Sequence, residues 1–138
     1  MPRVHRRSPE ERARIVEALV KALAGEPDVD FAYLHGSFLS ELPFHDIDVA
    51  VMFTGEAVLD STGAALAVAD RLERSVGHPV DVRVLNHAPL TFQFKAARGR
   101  LLVCRAEERV ADFVEHLLPR YFDLAPRLAQ AAKEAFAS

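Results

Sequence analysis

The chain has 138 residues, of which 50% are hydrophobic and 27% charged, a composition typical of one globular domain. Its formal net charge of −3 argues against the basic face that charge-driven binding to DNA or RNA requires, so direct nucleic-acid binding is not expected. A single cysteine, Cys104, excludes an internal disulfide. We recognise no signal peptide and no apolar stretch that could span a membrane. Together with the single cysteine, this favours a cytoplasmic location.

The first predicted elements are a helix and a strand. Ser8 and Glu11 form a capping-box pattern around Pro9, and Gly25 ends the helical spacing of apolar residues. The run Val29–His35 then predicts a strand that ends at a Gly-Ser turn.

A second strand is predicted from about Asp46 to Phe53, followed by a helix from Glu56 to Val76. Helical spacing predicts that one apolar face of this helix points inward, formed by Leu59, Leu66, Ala69, Leu72 and Val76. A Gly-His-Pro sequence ends it.

The second half of the chain repeats this alternation. Residues 80–85 predict a third strand, 88–98 a short helix and 101–105 a fourth strand. The segment 106–138 predicts a C-terminal helical segment that Pro119 and Pro126 should kink or divide. Alternating strands and helices indicate an α/β fold with a mixed sheet of about four strands and helices packed around it.

The most informative motif lies between the first two strands. The turn Gly36-Ser37 provides backbone amides and a hydroxyl that can hold a phosphate, although most Gly-Ser pairs are only turns. Asp46 and Asp48 follow after a short loop, and residues two apart on a strand share a face. Two carboxylates about 5 Å apart repel by roughly 3 kcal/mol at an effective dielectric of about 20, a repulsion that a divalent cation relieves. The pattern predicts a metal site beside a phosphate cradle.

Asp81 is the third candidate acid. In the run of alternating valines at residues 80–84, Asp81 and Arg83 fall on the polar face. If this strand neighbours the second strand, the three acids converge; otherwise Asp81 is an ordinary exposed strand residue.

These residues resemble the DNA polymerase β-type nucleotidyltransferase superfamily, which has a Gly-Ser or Gly-Gly turn, an Asp-x-Asp strand and a third acid on a later strand. The small size is most similar to the minimal nucleotidyltransferases (MNT), the antitoxins of HEPN–MNT toxin–antitoxin pairs. The resemblance implies a nucleotidyltransferase-like fold in a single domain, 1–138, with a catalytic core at 28–105.

The resemblance also implies an activity: transfer of AMP from ATP to a tyrosine of a HEPN-domain toxin, which silences the toxin. Gly36 and Ser37 would bind the nucleotide phosphates. Asp46, Asp48 and Asp81 would be the catalytic residues and the ligands of two Mg²⁺ ions. A homo- or hetero-oligomer is compatible with this function.

The loop at residues 38–45 departs from the family pattern. It has eight residues and contains no arginine or lysine that could neutralise a triphosphate. His35 and His45 flank the motif but are only partly charged near neutral pH. The basic residues Lys95, Arg98 and Arg100 follow the third acid, on a solvated surface or near the nucleotide.

Two alternatives therefore stay open. One is a non-catalytic antitoxin that binds a HEPN toxin without chemistry. The other is a small-molecule nucleotidyltransferase of the aminoglycoside type, which the lack of a separate substrate domain disfavours. The bulky residues of the C-terminal helix fit either the core or an exposed docking groove: Phe113, Leu117, Tyr121 and Phe122.

Overall fold

The computed structural model describes residues 6–39, 43–44 and 46–137. The elements follow in the order α1 (Pro9–Ala24), β1 (Val29–His35), β2 (Ile47–Phe53), a 3₁₀ segment (Gly55–Asp60), α2 (Ser61–Val76), β3 (Val80–Val84), α3 (Leu90–Ala97), β4 (Arg100–Cys104) and α4 (Glu107–Ala137). Strands and helices alternate as the sequence predicts, and β2 begins one residue after Asp46.

The four strands form one mixed sheet in the order β3-β2-β1-β4. Strand β1 is antiparallel to both β2 and β4, whereas β2 and β3 run parallel. Parallel neighbours need a crossover connection, which the 3₁₀ segment and α2 provide. The predicted mixed α/β architecture is confirmed.

The two faces of the sheet differ in what covers them. Helices α1 and α2 cover a continuous apolar face, where Leu19 and Leu72 meet strand residues such as Val49. Helices α3 and α4 cover the other face, where Phe31 and Tyr33 pack with Ala50 and Ala96. Alternation along each strand sends neighbouring side chains to opposite faces, so the polar positions of β2 and β3 lie on the side of α3.

The start of α1 confirms the predicted capping box. The Ser8 hydroxyl accepts a hydrogen bond from the Glu11 backbone N–H at 3.2 Å, and the Ser8 N–H donates to Glu11 Oε1 at 3.1 Å. Gly25 follows the last helical residue and donates to the carbonyl of Ala22. Both helix ends thus have partners for groups that the helix leaves unpaired.

The predicted helix over residues 56–76 is wrong in its first turns. Asp60 accepts a hydrogen bond from the Gly63 N–H and so caps a new α-helix that begins at Ser61. This helix buries Ala65, Val68 and Leu72. Leu59 and Leu66, predicted to point inward, are 88% and 69% exposed. The 3₁₀ segment lies outside the α-helical repeat, and Leu66 lies one residue, about 100°, away from the buried row.

The prolines in the C-terminal segment, predicted to kink or divide it, do not divide it. Helix α4 runs through Pro119 and Pro126 to Ala137. Each proline removes one N–H and leaves the carbonyl four residues earlier without its helical donor. Both prolines lie on exposed positions, where water can reach those carbonyls.

The first turns of α4 belong to the core, which answers part of the question about its bulky residues. Phe113 packs on Phe31 with ring centroids 5.3 Å apart, and Leu117 is fully buried. Phe122, in contrast, is 60% exposed, and Phe136 near the helix end is 91% exposed. No helix among the described residues is both long enough and apolar enough to cross a membrane.

Candidate functional site

Three polar residues form a row across the sheet where β1 ends. His35 on β1 pairs with Asp48 on β2, and Asp48 pairs in turn with Asp81 on β3. Directly paired residues on neighbouring strands point to the same face. The polar row therefore lies on the face that α3 covers. The structure confirms that β3 neighbours β2, the condition on which convergence of the acids depended.

Asp48 is the central and half-buried member of this row. Burial raises the pKa of its carboxyl group, and the nearby charges of Asp81 and Asp46 raise it further. Lys95 and Arg83 act on the same pKa in the opposite direction. The three predicted acids therefore share one electrostatic environment, although exposed Asp46 lies just before the strand and outside its alternation.

Gly36 brings the turn backbone against Asp48. Its φ of +80° lies in the left-handed region, and a Cβ built there would overlap Asp48 Oδ2. A side chain at this position would displace the carboxylate or the turn. The N–H of Leu39 donates to the Gly36 carbonyl at 3.1 Å and closes the turn, with Ser37 exposed on it.

Asp81 already has a cationic partner. Arg83, two residues along the same strand, places its Nε 3.1 Å from Asp81 Oδ2, and its guanidinium carbon lies 5.6 Å from the centroid of the Phe92 ring. Among the described residues, no group of three His, Cys, Asp or Glu side chains is arranged to hold a metal ion. A cation shared by Asp48 and Asp81 would compete with Arg83. The sequence signal for this contact was the Asp-x-Arg alternation.

The structure buries His35, which the sequence left as a partly charged residue near neutral pH. The imidazole is only 5% exposed, and burial lowers its pKa, with Lys95 and Arg83 lowering it further. Neither ring nitrogen has a hydrogen-bond partner among the described residues. The ring meets Phe92 edge-on, with centroids 5.4 Å apart. His45, the second histidine considered, lies outside the described residues.

Arg12 on α1 anchors the start and end of the loop between β1 and β2, a role that the sequence did not suggest. Its Nη1 donates to the Phe38 carbonyl at 2.7 Å, and its guanidinium lies 5.0 Å from the ring centroids of both Phe38 and Phe44. These two rings are buried and pack edge-to-face at 4.7 Å. Helix α1 thus supports the turn from the opposite side of the sheet.

A cleft of about 380 Å³ opens beside the row, between the turn and helices α3 and α4. It is lined by His35, Gly36, Leu39, Thr91, Phe94, Lys95, Arg98, Gly99 and Tyr121. Phe94 and Tyr121 stack in parallel, with centroids 3.7 Å apart and planes inclined by 6°. Of the three basic residues considered, Lys95 and Arg98 line this cleft, whereas Arg100 lines separate depressions against α1.

Comparison with known proteins places this site in a family. The family model described as Polymerase beta, Nucleotidyltransferase matches residues 17–108, which include β1, β2 and β3 with the whole polar row. No curated protein matches the chain significantly.

Several solved structures share the fold. A mutant of the toxin–antitoxin complex MntA–HpeT has a TM-score of 0.64 at 21% identity, covering 88% of this chain and 94% of the other. A toxin–antitoxin structure with AMP-PNP gives 0.63 at 21% identity with the same coverage. A Shewanella oneidensis complex of tri-AMPylated HEPN toxin with MNT antitoxin gives 0.57 at 21% identity, covering 93% of each chain. With the family model spanning most of its length, the chain belongs to the polymerase β-type nucleotidyltransferase family.

Proposed function

We propose that this nucleotidyltransferase is an antitoxin that transfers AMP from ATP to a tyrosine hydroxyl of a HEPN-family toxin. The observation that carries the proposal is the pairing of Asp48 with Asp81 beneath the Gly36 turn. Fold neighbours support the choice of acceptor, because they include an MNT antitoxin in complex with a tri-AMPylated HEPN toxin. Another neighbour contains the ATP analogue AMP-PNP.

The acids fit a divalent cation in their chemistry. Carboxylate oxygens are the ligands that Mg²⁺ prefers, and half-buried Asp48 has the negative charges of Asp81 and Asp46 nearby. The described side chains are not arranged as a group of metal ligands in this structure. After a rearrangement, Asp46, Asp48 and Asp81 would hold two Mg²⁺ ions, which when bound supply Lewis-acid stabilisation of the reacting oxygens. Arg83 would then move from Asp81 to an anionic neighbour.

The residues of the chain have distinct roles in this proposal. The turn amides at Gly36 and the hydroxyl of Ser37 donate hydrogen bonds to the β- and γ-phosphates. Asp81 accepts the proton of the attacking tyrosine hydroxyl. The tyrosine oxygen forms a bond to the α-phosphorus, the bond from that phosphorus to the bridging oxygen breaks, and pyrophosphate leaves.

The test is a transfer assay with labelled ATP, Mg²⁺ and the protein encoded beside this chain, which the proposal expects to be of the HEPN family. We expect label on a tyrosine of that protein with the wild-type chain and none with Asp48→Asn. Asp123→Asn, which neutralises an exposed acid of α4, is the matched control and should transfer normally. A folded wild-type chain that labels no partner would contradict the proposal.

The contact between Arg83 and Asp81 favours a second candidate, an antitoxin that acts by binding alone. A guanidinium that stays on Asp81 would occupy the position of a cation. This candidate predicts that an Asp46→Asn/Asp48→Asn double variant neutralises the toxin as well as wild type does. Loss of protection in that variant would instead support catalysis.

A further inference from the structure

The cleft beside the polar row carries the positive charge that the loop between β1 and β2 lacks. The described residues of the loop contain no lysine or arginine, yet a nucleotide held at the Gly36 turn carries several negative charges. Lys95 and Arg98 line the cleft, and both side chains are exposed. Lys95 is close enough to lower the pKa of both His35 and Asp48, so its charge reaches the row.

Neither cation has an acidic partner among the described residues. Within the part of the chain that the structure describes, no ion pair involves Lys95 or Arg98. Arg98 lies over the Phe94 ring, with its guanidinium carbon 5.7 Å from the centroid. In contrast, Arg71, Arg74, Arg83, Arg109 and Arg127 each pair with a carboxylate. Two unpaired cations at a concave surface are available to an anion.

The buried imidazole of His35 gives an independent indication of a ligand. It lines the same cleft, and both of its ring nitrogens lack partners among the described residues. A buried polar group without a partner is costly, so its persistence calls for a ligand or water at that place. An imidazole donates an N–H from at least one nitrogen in either protonation state.

The aromatic residues of the cleft point to phosphate rather than to a nucleobase. A base would stack on an open ring face. The Phe94 and Tyr121 rings, however, already stack on each other, and Arg98 lies over Phe94. The aromatic pair joins α3 to α4 and supports Arg98.

We propose that this cleft binds the terminal phosphates of the nucleotide through Lys95 and Arg98, with His35 donating a hydrogen bond to the same anion. The inference rests on the proposed function, since it concerns the nucleotide of that reaction. It assigns to α3 the neutralisation of phosphate charge that the loop between Ser37 and Asp46 does not provide.

The experiment measures binding of fluorescent ATP to the purified chain, with inorganic tripolyphosphate and adenosine as competitors, both in Mg²⁺ and in EDTA. We expect Lys95→Gln/Arg98→Gln to weaken ATP and tripolyphosphate binding by at least about tenfold, because charge-assisted hydrogen bonds are lost. Adenosine competition should not change. Arg127→Gln/Lys133→Gln on α4 makes the same charge change away from the cleft and should bind like wild type.

Either of two results with the double variant would overturn the inference: tripolyphosphate binding that stays unchanged, or a loss confined to adenosine. His35→Phe should weaken tripolyphosphate binding about fivefold, the loss of one neutral hydrogen bond, while His35→Gln, which keeps a donor, should bind more tightly than His35→Phe. A His35→Phe chain that melts and binds like wild type would overturn the role of His35. Failure of the proposed function appears separately, as absent AMP transfer by a wild-type chain that binds ATP. A wild-type chain that binds neither ATP nor tripolyphosphate overturns both.

Discussion

The two faces of the sheet have different roles. The face beneath α1 and α2 is apolar along its whole length, and its central residues Leu19, Val49 and Leu72 are fully buried. The face beneath α3 and α4 is apolar only at one end, around Phe31 and Phe113. Its other end carries the row His35–Asp48–Asp81. One face thus provides the stability that lets the opposite face keep a half-buried carboxylate close to two other acids.

The strongest test of this division is Asp48→Asn. We expect AMP transfer to fall by at least about a hundredfold, the scale seen when one electrostatic contact to a transition state is removed. Stability should stay the same or rise, because the raised pKa of Asp48 shows that its charged form is disfavoured in the fold. Transfer assays and thermal melting measure the two effects, and a large drop in melting temperature would contradict the division.

A matched pair on α2 tests the apolar face. Leu72→Ala should lower the free energy of unfolding by about 2–5 kcal/mol, because a fully buried side chain leaves a cavity. Leu66→Ala on the same helix should change it by less than about 0.5 kcal/mol, since that side chain is mostly exposed. Denaturant unfolding of both variants gives the comparison. Similar losses of unfolding free energy in the two would contradict the observation that Leu72 lies on the buried side of α2 and Leu66 on its exposed side.

Arg12→Ala tests the support that α1 gives to the turn. Loss of one hydrogen bond to a carbonyl and of two ring contacts should cost about 1–2 kcal/mol of unfolding free energy. The KM for ATP should rise more than kcat falls, because the turn is less well ordered. Arg14→Ala, which changes an exposed neighbour on the same helix, is the control. Equal effects of the two substitutions would contradict a specific role of Arg12 in supporting the turn.

The smallest expected effect is at the start of α1. Ser8→Ala should cost about 1 kcal/mol at pH 7, and Ser75→Ala, whose hydroxyl donates only to its own helix, close to none. Hydrogen bonds from Ser8 hold the pKa of Glu11 below its usual 4.5. A pKa that is lower in the folded than in the unfolded state stabilises the fold at pH values above the unfolded pKa. This stabilisation is lost as the pH falls through the pKa of the folded state. The backbone N–H of residue 8 is the largest cause of this lowered pKa, and Ser8→Ala keeps it. The difference between Ser8→Ala and wild type should therefore shrink only slightly in acid, and denaturant melts at pH 7 and pH 3 measure it.

Local patterns predicted most of the fold. The capping box of α1, the apolar run of β1 and the alternation of β3 are properties of neighbouring residues, and each element appears where its pattern predicts. The sequence did not predict which side of α2 is buried, because the α-helix begins only at Ser61. Its start is set by one hydrogen bond, from the Gly63 N–H to the Asp60 side chain. The sequence left open whether α4 is kinked or divided, because the solvent exposure of its prolines is a tertiary property.

The candidate site, like the fold, was predicted only in part from the sequence. Spacing alone located the Gly-Ser turn and placed Asp48 and Asp81 on the polar faces of their strands, since alternation fixes which residues of one strand share a face. That β2 and β3 are neighbours, which brings the two acids together, came only from the structure. The contact of Arg12 with Phe38 joins residues 26 positions apart, and the cleft joins β1 to α3 and α4. Such contacts depend on how the helices dock onto the sheet, which short-range spacing does not encode. The burial of His35 belongs to the same class.

The close packing of Gly36 on Asp48 has a mechanical consequence. Because there is no room for even a methyl group between the turn and the carboxylate, neither can move toward the other. An anion bound at the turn and a cation bound at the acid would therefore occupy adjoining positions, and any effect of one on the affinity of the other must be equal in both directions.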